Sequence, residues 1–194
     1  MEIDQSIARL AEKLDAWFDG NIATFTSADR AAQGRAIDRG VAIVREFERL
    51  KSSGLKVLNS LIASYASIPE DQKTVSLINA FKLGAMLKAA LHDELLDIDG
   101  ANKIVLLMNK IAAALDTTRR GRSALGELLD HSDPRVRASA GAYLLIVDLL
   151  TKSAVPILRE IEQTERGNAA GFTAHWALLD WELRQKARAI NNDK

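Results

Sequence analysis

Cysteine is absent from the 194 residues of this chain. Its absence excludes a disulfide framework, a thiolate metal site and a cysteine nucleophile, and it favours the cytoplasm as the compartment. We also expect no membrane helix, because no apolar stretch approaches the roughly 18 residues that such a helix needs. The acidic start Met1–Asp4 does not resemble a signal peptide. We therefore predict a cytoplasmic protein that does not enter a membrane.

An excess of either charge is absent too, since 26 Lys and Arg side chains balance 26 Asp and Glu side chains. A net charge of zero argues against bulk electrostatic binding to nucleic acid or anionic lipid, because these partners attract a cationic surface. Aromatic residues make up only 5% of the chain, but hydrophobic residues make up 47%, which is enough for a buried core. These numbers fit one compact domain.

Hydrophobic periodicity predicts an N-terminal helix behind a cap at Asp4, and then a second helix that starts near Ser27. The second helix is predicted to end at Ser52-Ser53-Gly54, because these residues favour a turn. A short apolar stripe follows and ends at Ser67–Glu70. The apolar positions of the three segments are Ile3, Ile7, Leu10, Leu14 and Phe18, then Ile37, Ile43, Val44, Phe47 and Leu50, then Leu55, Leu58, Leu61, Ile62 and Tyr65.

The middle of the chain continues with two further predicted helices. The first runs from about Asp71 to beyond Leu91, and a turn at Asp97–Gly100 separates it from the second. The second has a strong amphipathic pattern. The candidates for burial are Val75, Ile78, Phe81, Leu87 and Leu91 in the first helix, and Ile104, Leu107, Met108, Ile111 and Leu115 in the second.

No segment shows the alternation of apolar and polar residues that is typical of a strand, so we predict an all-α fold of about eight or nine helices. We divide the single domain of residues 1–194 into three parts. N-terminal helices occupy residues 1–66, an additional helical hairpin occupies 69–116, and a C-terminal part occupies 118–190.

The last third of the chain carries the most specific pattern. A short helix over about Ser123–Leu129 precedes Asp133, which can cap a new helix, and Pro134, which suits its first turn. Thr151–Ser153 is predicted as the next turn and Arg166–Asn168 as the turn after it. The apolar positions of the three helices are Val136, Ala140, Leu144 and Val147, then Pro156, Leu158 and Ile161, then Phe172, Trp176, Leu179 and Leu183.

This order of cap, proline, valine and arginine, followed by a small residue and a leucine, resembles the HEAT-type helical repeat. The span from about Arg122 to Trp181 is similar to a family of small bacterial HEAT-like proteins without assigned activity, and the likeness weakens upstream. It implies a solenoid of stacked helical hairpins. The residues that carry it are His131, Asp133, Pro134, Val136, Arg137, Ala140, Leu144, Ala154, Leu158, Ile161, Ala174 and Leu178.

The resemblance implies a scaffold or binder, and some small bacterial proteins of similar build neutralise toxins. We therefore predict a non-enzymatic protein–protein interaction module, of the kind of a bacterial immunity or regulatory protein, which binds and occludes a partner protein. Fold alone does not give function, so the binding surface has to come from particular residues. The predicted partner surface is the acidic group Asp93, Glu94, Asp97 and Asp99.

Two other functions stay open. One is a HEAT-like protein that binds nucleic acid or excises damaged bases, although the balanced charge disfavours it. The other is a structural homo-oligomer. We expect Arg137 to pair with a carboxylate of a neighbouring helix instead of a phosphate. The nucleic-acid patch would be Arg119, Arg120, Arg122 and Arg135, with Trp176, Trp181 and Asp180 as the aromatic and acidic residues.

The three histidines, His92, His131 and His175, lie far apart and form no zinc pair four residues apart. His92-Asp93 resembles the paired ligands of a metal-dependent phosphohydrolase, but those enzymes need a further histidine upstream, and none precedes His92. We interpret the pair as part of an exposed polar helix face.

A calcium loop is also disfavoured. With Gly100 at the invariant glycine position of an EF-hand, two ligand positions would fall on Leu95 and Leu106. We interpret the nearby aspartates as a helix end followed by an Asp-capped turn. Nucleophile elbows and glycine-rich phosphate loops are absent. We predict no catalytic residue, no cofactor and no metal site.

The tryptophans are predicted to be buried. Trp176 lies within the apolar stripe of the last helix, whereas Trp17 and Trp181 lie toward the edges of theirs. Large aromatic side chains are mostly buried on average, and an exposed one would indicate an interface.

Overall fold

A computed structural model describes Arg9, residues 30–64, Ile68, residues 70–93 and residues 96–192. This part of the chain contains no strand, which confirms the all-α prediction. Apart from Arg9, the predicted N-terminal helix, with Trp17, lies outside the described residues. The total of eight or nine helices stays a prediction. The described helices are α1 (Arg30–Ser64), α2 (Glu70–Asp93), α3 (Ile98–Asp116), α4 (Arg119–Glu127), α5 (Pro134–Ile146), α6 (Thr151–Thr164) and α7 (Ala169–Asn192), with a 3-10 turn at Leu128–Asp130.

Helix α1 is continuous, so the predicted end at Ser52-Ser53-Gly54 is wrong. Gly54 is buried where α1 meets α2, and a Cβ added there would lie only 2.8 Å from the Leu87 Cδ2 atom. The glycine therefore permits close helix packing instead of ending the helix. The burial of Leu58 one turn later extends the same contact.

Helix α2 lies at the centre of the bundle and contacts α1, α3, α4, α5 and α7. Phe81, Leu87 and Leu91 are buried, as predicted. The predicted burial of Val75 is wrong, since its side chain is 54% exposed. Val75 precedes the segment from Leu77 onward, where neighbouring helices surround α2 on most sides. A helix that is apolar all round is the kind that a protein buries in its interior.

The central position of α2 also corrects the expectation about long apolar segments. Gln72–Asp93 is long and apolar enough to cross a membrane by length and composition, with a mean hydropathy of 1.3. In this structure, 56% of that apolar window is buried against the rest of the chain. A buried core helix passes the same test, and the prediction that the protein does not enter a membrane stays a prediction.

Helix α3 begins one residue after Asp97, whose carboxylate accepts a hydrogen bond of 2.8 Å from the Gly100 backbone N–H. Residues 98–100 therefore form the first helical turn and do not make a separate turn. Ile104, Met108 and Ile111 are buried, which confirms the predicted face.

Helix α4 begins four residues before its predicted start at Ser123. Thr118 caps it by accepting a hydrogen bond of 2.9 Å from the Gly121 backbone N–H. Capping by a threonine side chain satisfies one of the free N–H groups of the first turn. The cap therefore brings Arg119 and Arg120 into the helix.

The C-terminal helices α5, α6 and α7 pack against one another in all three pairs. Asp133 caps α5 and Pro134 opens its first turn, as predicted. The predicted turn at Thr151–Ser153 is wrong, because α6 already begins at Thr151 and residues 147–150 make the turn. Gly167, with a φ of 91°, makes the predicted turn before α7. The buried face that the three helices share includes Val136, Ala140, Leu144, Ala154, Leu158, Ile161, Ala174 and Leu178.

Helix α7 turns a different face inward from the one predicted. Ala170, Ala174 and Leu178 are buried, whereas Trp176 is exposed and its predicted core position is wrong. The small side chains let α7 lie close to its neighbours, and the large apolar ones point outward. Trp181 is partly buried against the core, in line with the prediction for it.

The cap at Asp133 gives a first prediction. The carboxylate accepts a bond of 2.9 Å from the Arg135 backbone N–H and pairs with the Arg135 guanidinium at 2.6 Å. We expect Asp133→Ala to lower the free energy of unfolding by about 1 kcal/mol, because the cap is lost. Asp133→Asn is the control, since its amide oxygen can still cap the helix. Urea denaturation measures both variants, and an unchanged midpoint for Asp133→Ala would contradict the assigned cap.

Candidate functional site

A groove of about 430 Å³ opens between α2, α3, α5 and α7. This volume lies within the range of small-molecule sites in proteins. Most of its wall is apolar, and we call it the Lys88 groove after the one lysine among its lining residues. Its apolar wall includes Ile98 and Val105 of α3, Ile146 of α5, and Phe172 and Trp176 of α7.

Lys88 reaches this groove from the buried helix α2 and holds three helices together. Its ammonium donates hydrogen bonds to the Ser139 hydroxyl of α5 at 3.2 Å and to the Thr173 hydroxyl of α7 at 2.8 Å. Thr173 in turn donates its own proton to the Ala169 carbonyl. The hydroxyl of Thr173 is thereby oriented as an acceptor for Lys88.

Burial lowers the pKa of Lys88 from 10.5 to about 8, and the negative charge of Asp93 opposes this only in part. Removing an ammonium from water disfavours its charged form unless an opposite charge compensates it. No carboxylate of the described residues forms an ion pair with Lys88. Burial also raises the pKa of the Tyr143 phenol in the same wall, with the charge of Asp116 adding to the effect.

The rings of His92, Phe172 and Trp176 line the groove, and the His175 ring contacts Trp176 outside the lining. The ring centroids of His92 and Phe172 lie 5.2 Å apart, those of Phe172 and Trp176 6.0 Å apart, and those of Trp176 and His175 5.6 Å apart. The His175 Nδ1 atom also lies 2.7 Å from a Glu162 carboxylate oxygen. Rings at these separations pack in tilted or edge-to-face contacts.

The aromatic pair Phe172 and Trp176 begins a longer apolar line on α7. The side chains of this line are 36% to 62% exposed. Their spacing keeps them on one side of the helix through five turns. We call this line the α7 stripe, and it consists of Phe172, Trp176, Leu179, Leu183 and Ile190.

Two members of the predicted acidic surface take part in the fold. An Asp93 oxygen accepts a hydrogen bond of 2.7 Å from the Ala169 backbone N–H at the start of α7, and it lies 2.9 Å from His92 Nδ1. Asp97 caps α3 and pairs with Lys51 of α1 at 2.6 Å. Asp99 is exposed, and Glu94 lies outside the described residues. This group therefore offers one exposed carboxylate among the three that the structure describes.

The interpretation of His92-Asp93 as an exposed polar face needs correction, since both side chains are partly buried. The aspartate cluster is interpreted from the sequence as a helix end followed by an Asp-capped turn, and the residues capped by Asp97 are instead the first turn of α3. No three His, Asp or Glu side chains of the described residues lie close enough together to hold a metal ion.

The predicted basic patch is only partly assembled. Arg119, Arg120 and Arg122 are exposed on α4, but Arg135 pairs with its own cap residue Asp133. The wall of the Lys88 groove, which contains Trp176 and Asp180, includes no arginine within the described part of the chain.

Arg137 has the structural role predicted for it. Its guanidinium pairs with Glu160 at 3.5 Å, across the contact between α5 and α6. This arginine therefore joins two stacked helices and does not extend the basic patch on α4.

No family model, no curated protein and no solved structure matches this chain. The HEAT-like interpretation therefore stays a prediction that depends on the residues quoted for it. The features of the described structure that bear on function are the Lys88 groove and the α7 stripe.

Lys88 was not among the site residues predicted from the sequence. The signal was a single lysine in the apolar stretch Leu83–Leu91, where every other side chain is apolar or a glycine. Periodicity assigns such a residue to a solvent-facing side by default. Only the packing of α5 and α7 over this side of α2 reveals that the ammonium is enclosed.

The pKa of Lys88 gives a second prediction. Between about pH 8 and pH 10.5 the unfolded chain binds more protons than the folded protein, so folding becomes more favourable as the pH rises. Relative to Lys88→Met, we expect the free energy of unfolding of the native protein to rise from pH 7 to pH 10 by up to about 3 kcal/mol. Chemical denaturation at successive pH values measures this difference.

Subtracting the free energy of unfolding of Lys88→Met from that of the native protein removes the pH dependence that the two proteins share, including the titration of Tyr143 and Lys51. The methionine side chain is similar in length to that of lysine, and it has no group that titrates. A difference between the two proteins that does not change with pH would contradict the enclosure of the ammonium.

Proposed function

We propose that this protein is a non-enzymatic interaction module that binds a partner protein through the α7 stripe. The observation that carries the proposal is the length of the stripe, five exposed large apolar side chains on one side of a single helix. Single exposed apolar residues are normal on protein surfaces, whereas contiguous ones mark interaction sites.

The composition of the stripe supports a protein partner. Tryptophan is one of the residue types enriched at the centres of interfaces, and Trp176 lies in the stripe. Leu179, Leu183 and Ile190 extend the apolar surface along the helix. An amphipathic helix of a partner can pack along such a line with anchors three and four residues apart. The partner would be occluded by contact alone, without chemistry from this chain.

We further propose that α5, α6 and α7 form a HEAT-like unit whose outer helix carries the interface. The capped start of α5, the pairing of α5 with α6 through Arg137 and Glu160, and the shared buried face support it. In helical repeats each unit buries one face against its neighbour, and the α7 stripe is an exposed apolar face of this unit. A bacterial immunity or regulatory role is the biological setting that the resemblance implies.

We therefore propose the interface on α7 and not on the acidic group. Asp93 and Asp97 bond to helix starts, so their substitution would reduce stability and binding together. Asp99 is the member whose substitution reports on binding alone.

The third prediction tests the α7 stripe. We expect the tagged native protein to retain one stoichiometric partner from an extract of its own cells, and Leu179→Ser/Leu183→Ser to lose it. Serine at these two exposed positions removes apolar contact area but leaves the buried face of α7 intact. Mass spectrometry of the retained material at moderate salt measures the outcome.

The matched control is Val75→Ser/Leu106→Ser, which removes two exposed apolar side chains from α2 and α3. Equal retention by all three proteins, or no partner with the native protein, would contradict the proposal. Light scattering distinguishes a second copy of this chain as the partner, because a dimer would then become a monomer in the α7 variant.

A second candidate function is nucleic-acid binding by α4, favoured by the exposure of Arg119, Arg120 and Arg122 at its start. The fourth prediction follows from counterion release, which makes phosphate contacts sensitive to salt. On this hypothesis, Arg119→Gln/Arg120→Gln should elute from heparin at lower salt than the native protein, with Lys152→Gln/Arg159→Gln on α6 as the control. Identical elution of all three proteins would remove this candidate.

A further inference from the structure

We propose that the Lys88 groove is a binding site for an apolar monocarboxylate, of the chemical class of a medium-chain fatty acid. The carboxylate would accept a hydrogen bond from the Lys88 ammonium, and the apolar body would lie along Ile98, Phe172 and Trp176. The groove shares Phe172 and Trp176 with the α7 stripe, but Lys88, Leu179 and Leu183 each belong to only one of the two sites, so each proposal has its own test.

Within the described part of the chain, the Lys88 ammonium lacks a full set of hydrogen-bond acceptors. Two of its three N–H groups bond to the hydroxyls of Ser139 and Thr173, and the third has no acceptor among the described residues. Both hydroxyls are neutral, so they satisfy hydrogen bonds without balancing the charge. An enclosed ammonium is stabilised by an anion that also accepts a hydrogen bond.

Other partly buried cations of this protein show the contrast. Lys51 pairs with Asp97 at 2.6 Å, and Arg137 pairs with Glu160 at 3.5 Å. Asp93 is the carboxylate whose charge acts on Lys88, but its Oδ1 atom accepts the bond from Ala169 and faces His92. The groove therefore leaves the position of a counterion open at Lys88.

The other residues that line the groove indicate the chemistry of the ligand beyond its carboxylate. Phe81 and Met108 line the inner part of the groove, and Val105 and Ile146 line its sides, so an apolar body is favoured there. Besides Lys88 and its two hydroxyl partners, the polar groups of the lining are the amides of Asn102 and Asn109, the His92 imidazole, the Tyr143 phenol and the Asp180 carboxylate. Asp180 pairs with the Arg184 guanidinium at 3.0 Å, so its charge is already balanced.

The charge of the ligand head follows from the single ammonium. One carboxylate carries one negative charge, which one lysine neutralises. A phosphate monoester carries between about 1.5 and 2 negative charges at neutral pH, more than this apolar site compensates. A neutral alcohol would leave the ammonium without a counterion.

The fifth prediction uses decanoate as the probe, with calorimetric titration of the native protein. We expect one decanoate per chain, and at least tenfold weaker binding of decanol, a loss of about 1.4 kcal/mol. Lys88→Met should weaken decanoate binding by at least tenfold as well. The control Lys110→Met removes an exposed lysine of α3 and should leave the affinity unchanged.

Lys88→Met is expected to fold, because it replaces an enclosed cation with an apolar side chain of similar length. Absence of decanoate binding, equal affinity for decanol, or unchanged affinity in Lys88→Met would each overturn the proposal. Tighter binding of decyl phosphate than of decanoate would also overturn it.

Decanoate binding can be tested separately from binding of the proposed protein partner. Leu179 and Leu183 do not line the groove, so Leu179→Ser/Leu183→Ser should bind decanoate as the native protein does. Loss of decanoate binding in that variant would indicate that the two surfaces form one site, which contradicts the separate groove proposed here.

Discussion

The enclosure of α2 by five other helices determines the arrangement of the described bundle. Close approach is possible because small residues lie at the contacts: Gly54 of α1 meets Leu87, and a Cβ at Gly84 would lie only 2.6 Å from the Cγ of Met108 on α3. Burial of apolar area on nearly every side of one helix supplies the main stabilising term. It also leaves little solvent-facing surface through which a charged residue in the middle of α2 can reach water. Lys88 occupies such a position, and the groove exists where α5 and α7 do not close completely over it.

Several other polar side chains complete the ends of helices. Asp97, Asp133 and Thr118 complete helix starts, and Asp93 bonds to the first turn of α7. In each case a side-chain oxygen satisfies backbone N–H groups that the helix itself cannot pair. Lys88 differs because its partners are neutral and its enclosure opposes its charge. A residue that breaks the local rule without a compensating partner is the kind found at functional sites.

The candidate site shows where sequence reasoning succeeds and where it stops. The capping role of Asp97 and the pairing of Arg137 were predictable, because both depend on residues close in sequence or on a recurring helix pair. The groove was not predictable, since its walls come from residues between 81 and 180 on four helices. Trp176 illustrates the difficulty: its spacing places it on an apolar stripe, but spacing cannot tell which of two apolar faces the neighbouring helices will cover.

The sequence by itself determined the all-α class, the start of α5 at the Asp133 cap, and the faces that share a helical period. These features depend on interactions within a few residues, which the order of amino acids fixes directly. The tertiary structure alone decided that α1 continues through Gly54, that α7 buries its alanines and exposes its large apolar side chains, and that Lys88 is enclosed. The physical reason is that burial is a property of pairs of elements, so the same residue is solvated or enclosed according to which helix packs against it.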